Sequence, residues 1–204
     1  MKAKIISIAV VALAFSLLVG ILFSLNYSIT PQLSGGESFR VPWMGARSFL
    51  FTQDNPYLAE AAEETQTAIY GQPAEETQYP YRLDTPFYLL IFYFPFAFIK
   101  DFDLARALWM SFAEISLFAV GFLSIYLAEW KGSRLSLIFF FSTLFFSFYG
   151  LYPLLEGSGT IFTALMLFLS LIALREKWDE VLGVLLLFGT IHLQNGALLF
   201  FFIL

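Results

Sequence analysis

The 204-residue chain is 59% hydrophobic and 13% charged, with a mean hydropathy of +0.75, so water cannot be the solvent for most of its surface. It has no cysteine and a single histidine, His192, which excludes a disulfide framework, a thiolate metal site and a histidine-built one. The net charge of −5 resides in residues 26–84, where eight acids face three bases, and such an excess of acid excludes nucleic acid as a partner because its phosphates would be repelled.

Lys2 and Lys4 precede residues 5–25, a run of 21 residues without a charge. At about 1.5 Å per residue this run crosses a hydrocarbon core of roughly 30 Å, so residues 1–25 are predicted to form a first transmembrane helix. A cleaved signal peptide would have an apolar region of about 7–15 residues and a small-residue cleavage site, and Leu25-Asn26-Tyr27 offers none.

Residues 26–84 are polar and rich in turn formers: Thr30-Pro31, Ser34-Gly35-Gly36, Asn55-Pro56, Gly71-Gln72-Pro73 and Tyr79-Pro80. They predict a structured loop outside the hydrocarbon. Within it Asn55 can cap a helix with Pro56 at its first position and Gly71 at its exit, which places a surface helix near residues 56–70. Glu60, Glu63 and Glu64 share one side of that helix and read as a solvated acidic face.

Residues 85–204 carry about five further hydrophobic segments, at 86–99, 107–128, 135–155, 157–174 and 181–204. The first is short and holds Pro86 and Pro95, so it is expected to be kinked or to span only in part. Residues 199–204 are apolar with no polar flank, which reads as the N-terminal part of something longer. The expected fold is therefore all-α: a single membrane domain over residues 1–204, a polytopic transmembrane helix bundle with a large structured extracytoplasmic first loop.

By the positive-inside rule Lys2 and Lys4 put the N-terminus in the cytoplasm and loop 26–84 outside the cell membrane. If every later segment crosses, Lys131, Arg134, Arg175 and Lys177 fall outside. If segment 86–99 does not cross, those four bases move inside and the 149–160 connection moves outside. The charge rule favours the second arrangement.

A membrane protein whose largest loop follows its first span must be explained by that loop. Its informative residues are Gly35-Gly36-Glu37-Ser38-Phe39-Arg40, then Trp43, Ala46-Arg47, Asn55-Pro56-Tyr57, Gln66 and Tyr70-Gly71. Here the chain resembles the GT-C superfamily of membrane glycosyltransferases, most closely the family 87 type that uses polyprenyl-phosphate sugars. The resemblance continues through Tyr79-Pro80, the proline-bounded segment, Ala105-Arg106 with Trp109, and Gly157-Ser158.

The resemblance implies transfer of a sugar from a polyprenyl-phosphate donor to an extracytoplasmic glycan or lipid acceptor, with a catalytic carboxylate in the first outer loop. A carboxylate there can take the proton of the attacking hydroxyl. The family typically places Asp directly before the Phe, where this chain has Ser38, with Glu37 one residue earlier. Glu37 is therefore the expected base, with Asp54 and Asp84 as reserves that also read as turn acids.

Arg40 and Arg47 are candidates for the donor phosphate, since a guanidinium binds phosphate through two parallel hydrogen bonds; pairing with the loop acids or with lipid headgroups explains them as well. Trp43, Tyr57, Tyr79 and Tyr81 could stack on a sugar or form an interfacial belt. His192, with Gln194 and Asn195, occupies the region where the family often has a Lys-Pro pair, so it is a candidate for substrate binding or helix packing.

No nucleotide cofactor is expected, because no glycine-rich phosphate cradle is present, and a divalent metal is left open. Asp101 and Asp103 read as a helix start before Leu104. Glu114, inside an apolar segment, should face a partner or a cavity. The rival class is a non-catalytic transporter or lipid-handling protein with Glu114 and the His192 cluster on its pathway; a degenerate transferase without activity is the third reading.

Overall fold

The structure, a computed structural model, describes residues 2–189, with side chains from residue 10 onward except that of residue 11. Among the described residues every regular element is helical.

Helix α1 (Lys2–Ile29) forms because its sequence is unbroken by Pro and almost uniformly apolar. Leu13, Leu17, Leu18, Ile21 and Leu25 are all exposed on it. Residues Ala12–Gln32 are long and apolar enough to cross a membrane, and such a surface is stable against lipid rather than water. The second helix with these properties is longer and lies at the centre of the fold. It spans Phe102–Leu127 and is labelled α6 once the elements between are counted. Asp101 starts it by accepting the Leu104 amide at 2.7 Å, while Asp103 lies in the first turn. The pair is a helix start as expected, with the cap two residues earlier.

Small residues make α6 central. Ala105, Ala107, Ser111, Ala113, Ser116 and Gly121 are buried along it and let neighbouring backbones approach closely. Thr30 at the end of α1 reaches the Asp103 carbonyl at 3.4 Å, and Asn26 donates Nδ2 to Ser111 and Glu114 at 3.0 and 2.9 Å. The two helices are therefore antiparallel neighbours, and everything between residues 32 and 102 leaves and returns at one end of the pair.

That intervening chain forms α2 (Glu37–Arg47), continued by a π-turn at Ser48–Thr52, then α3 (Ala59–Tyr70), α4 (Phe87–Leu90) and α5 (Phe94–Ala97). Pro42 inside α2 removes an amide donor and conceals this helix from a propensity reading. The surface helix α3 exists, but it starts at Ala59 rather than near residue 56. Asn55 instead accepts the Tyr57 amide at 3.1 Å in a turn, and Gly71, with φ +79°, closes the helix. Segment 86–99 is not one crossing helix: α4 and α5 have four residues each. It is tied back to α2, where Trp43 donates to Phe96 O at 3.0 Å and Arg47 to Ala97 O at 2.6 Å.

After α6 come α7 (Arg134–Phe146), α8 (Phe148–Glu156), α9 (Thr160–Arg175) and α10 (Asp179–Gly189). The apolar segment 135–155 breaks at Ser147, which is extended and caps α8, and the two helices meet at a 44° bend. The end of α8 returns to the start of α6, where Trp109 donates Nε1 to Gly157 O at 2.8 Å. At the opposite end Arg175 and Glu129 lie 3.6 Å apart.

An aromatic core joins the loop to the long helices. The Phe39 and Tyr93 rings lie 5.3 and 4.7 Å from that of Trp109, and Trp43, Phe96 and Phe102 pack around them. Burying rings of this size stabilises the contact by about 1.5–3 kcal/mol each. This core fixes α2 on the start of α6.

Candidate functional site

Gly35 and Gly36 adopt φ of +88° and +90°, a left-handed conformation that disfavours any side chain. Close approach reinforces the choice. A Cβ at Gly35 would lie 2.6 Å from Oε1 of Glu156 and 3.6 Å from Oε2 of Glu37, and one at Gly36 would lie 2.6 Å from Nε of Arg106. The paired glycines thus lie where two carboxyl groups from segments far apart in sequence and one guanidinium approach the same stretch of backbone.

Arg106 organises this junction. It is 1% exposed, donates Nη1 to Leu33 O at 3.1 Å and Nη2 to Ser34 O and Leu155 O at 3.4 and 2.7 Å, and its Nε has no partner among the described residues. It therefore ties the glycine turn to the end of α8. Glu37 opens α2, where the positive end of the helix dipole favours a carboxylate. Glu156 closes α8, which ends in Gly157 at φ +68°.

Beside this pair lies a cavity of about 270 Å³, near the lower bound of small-molecule pockets (about 300 Å³ upward). Glu37 and Ser38 line it from α2, Glu156 and Ser158 from the α8–α9 connection, and Tyr79, Tyr81, Arg82 and Asp84 from the chain returning to α4. Tyr93 forms an apolar wall. Ser158 shares a hydrogen bond with Thr160 at 2.7 Å. Tyr81, at φ +32°, is held against Tyr70 and Tyr79, and burial, then the charge of Glu37, pushes its phenol up to about 12.

The structure brings two of the three expected acids together. Glu37 and Asp84 share the cavity, whereas Asp54 lines a separate one of about 140 Å³ beside Asn55 and Glu60. Arg40 and Arg47 line neither of these cavities and open on another one beside α2. Arg47 donates to Ala97 O and Ile99 O, and Arg40 sits 3.5 Å above the Phe102 ring, where burial lowers its pKa from the usual arginine value. Trp43 is a buried core residue with its indole N–H on Phe96 O. Tyr57 donates its hydroxyl to Thr85 O at 2.7 Å and so positions the return segment. His192, with Gln194 and Asn195, lies outside the described residues.

Glu156 and Arg82 were not singled out from sequence as site residues. The one local signal was Gly157-Ser158 after an apolar segment, which marks a helix exit without saying what it faces. Among the described residues no three His, Asp or Glu side chains converge so as to hold a metal ion. Glu114, half-buried, accepts a hydrogen bond from Asn26 and does not line the carboxyl cavity. No family model matches the chain, and no curated protein or solved structure is significantly similar to it.

Proposed function

We propose that this is a multi-pass membrane glycosyltransferase of the GT-C type, which moves a sugar from a polyprenyl-phosphate donor to a glycan or lipid acceptor outside the cytoplasm. The observation that carries the reading is the cavity itself. Glu37, the acid marked by the resemblance, meets Glu156, Asp84 and Arg82 there, at the end of the fold where the long helix α6 begins. A polyprenyl tail in the bilayer would deliver its phosphate to that level.

In this scheme Glu37 accepts the proton of the attacking hydroxyl as its oxygen bonds to the anomeric carbon. The bond from that carbon to the phosphate oxygen breaks, and its electron pair leaves with the phosphate. Arg82, the cation of the cavity wall, neutralises the departing charge. Asp84 and Glu156 accept hydrogen bonds from sugar hydroxyls, and Tyr79 offers an exposed ring face for stacking.

The end-to-end arrangement supports the topology. The N-terminal end of α1, which carries Lys2 and Lys4, falls at the same end as Lys131, Arg134, Arg175 and Lys177. That distribution follows the positive-inside rule with loop 26–84 on the outer side.

The test is sugar transfer from a polyprenyl-phosphate donor in liposomes containing the full-length protein. Glu37→Gln keeps size and hydrogen bonding but removes basicity, so turnover should fall by roughly 10² to 10⁴ with donor binding little changed. Wild-type turnover in this variant would remove the base from Glu37.

A further inference from the structure

A third cavity, of about 390 Å³, lies on the other side of α2 and shares no lining residue with the carboxyl cavity. Arg40 and Arg47 both line it; among the described residues neither has a carboxylate within ion-pair distance, although the charges of Glu37 and Asp103 act on Arg40. Phe102, the first residue of α6, also lines it, so the cavity lies at the end of a helix long and apolar enough to cross a membrane. Phe51 lines it as well, and its ring meets that of Phe98 edge-on at 5.6 Å, the two side chains being 53% and 66% exposed. Two cations beside exposed aromatic rings match a phosphate head group followed by acyl chains.

The same cavity has one acid, Glu64 of α3. Through Met44, Glu64 and Ala68 it continues into an open groove lined by Glu60 and Glu63. Positive charge at the α2 side and negative charge at the α3 side form an ordered pair. A head group that is only anionic would satisfy the arginines and face the acids with nothing to offer them.

We propose that this cavity holds a membrane phospholipid whose phosphate is followed by a primary ammonium group. Arg40 and Arg47 take the phosphate, the ammonium reaches the Glu64 side, and the acyl chains cover Phe51 and Phe98. The site is a lipid site of the fold, separate from the cavity assigned to sugar transfer. It rests on the membrane placement of α6 and not on the transferase reading.

The experiment is native mass spectrometry of the full-length protein, stripped of lipid in mild detergent and titrated with phosphatidylethanolamine, phosphatidylcholine, phosphatidylglycerol or a polyprenyl phosphate. Phosphatidylethanolamine should be retained about tenfold more tightly than phosphatidylglycerol, a difference of one decade in dissociation constant. Phosphatidylcholine, which has no N–H to donate, should fall below phosphatidylethanolamine. Glu64→Gln, a change on an exposed helix position, should abolish the preference between the first and third lipids. Arg40→Gln should weaken both about tenfold. Equal or stronger retention of phosphatidylglycerol by the wild type would overturn the proposal. So would displacement of phosphatidylethanolamine by polyprenyl phosphate, which would make the cavity a donor site. No sugar transfer is read in this assay, so its failure and that of the transferase reading are independent.

Discussion

Arg106 donates Nη2 to the main-chain oxygen of Leu155 at 2.7 Å, while its Nη1 holds Leu33 O at 3.1 Å. One buried guanidinium thus joins the two backbone segments that end in Glu37 and Glu156. An ammonium group is a point donor and cannot span these carbonyls in a fixed plane. Arg106→Lys should destabilise the fold by about 3 kcal/mol, the scale of one or two hydrogen bonds to a charged group. Thermal unfolding in detergent measures this, and an unchanged midpoint would show that other contacts hold the junction.

Glu156 and Asp54 separate the geometry of the site from the acidity of the loop. Under the proposed transfer, Glu156→Gln should reduce turnover at least about tenfold, because its carboxyl lines the cavity with Glu37 and the hydrogen bonds it accepts there become weaker when its charge is lost. Asp54→Asn should leave turnover within about twofold, since Asp54 belongs to another cavity. The comparison is made at equal protein levels in liposomes. The reverse order would move the reacting centre to the far side of the loop.

The return of segment 86–99 to its starting end can be read by labelling, and the chain's lack of cysteine makes single replacements clean. Gln78→Cys and Lys100→Cys flank that segment, and both should react in intact cells with a membrane-impermeant thiol reagent. Ser133→Cys, at the α6–α7 connection, should react only after lysis. Labelling of Gln78→Cys and Lys100→Cys from opposite sides would mean that the segment crosses.

Tyr81 supplies a pH signature of the cavity. Its phenol rises from 10.0 to about 12 in the folded protein, through burial first and then the charge of Glu37. The unfolded chain therefore loses this proton first, so the contribution of Tyr81 to stability is present below pH 10.0 and is lost as pH rises toward about 12. The difference in phenolate absorbance between wild type and Tyr81→Phe follows the titration directly. Glu37→Gln should move it downward, because one of the charges that oppose the phenolate is gone. An unmoved titration would place Glu37 out of range of Tyr81.

Part of this architecture is legible in the sequence because it depends on local chemistry. The apolar run after Lys4 predicts a long helix and the structure has one. Gly71 at a helix exit, a proline-bounded segment without a full span and Asp101-x-Asp103 at a helix start all describe the chain within a few residues of itself. Helix α2 escaped for the same reason: Pro42 is a local signal against a helix. The packing of Phe39 on Trp109 and of Trp43 on Phe102 overrides that signal from outside the segment.

What the sequence determined by itself is the solvent of the protein, its helical class and the acid beside the paired glycines, since hydropathy, uncharged length and motif are properties of neighbouring residues. Only the tertiary structure decided which acids meet. Glu156 stands more than a hundred positions after Glu37, and nothing around either one states that Gly35 lets their carboxyl groups converge. Likewise Arg40 and Arg47 follow Glu37 closely in the chain yet open on another cavity. Three residues along a helix, Arg40 is only about 60° round from Glu37, so helix periodicity alone does not separate them, and long-range packing selects which side of α2 becomes the site.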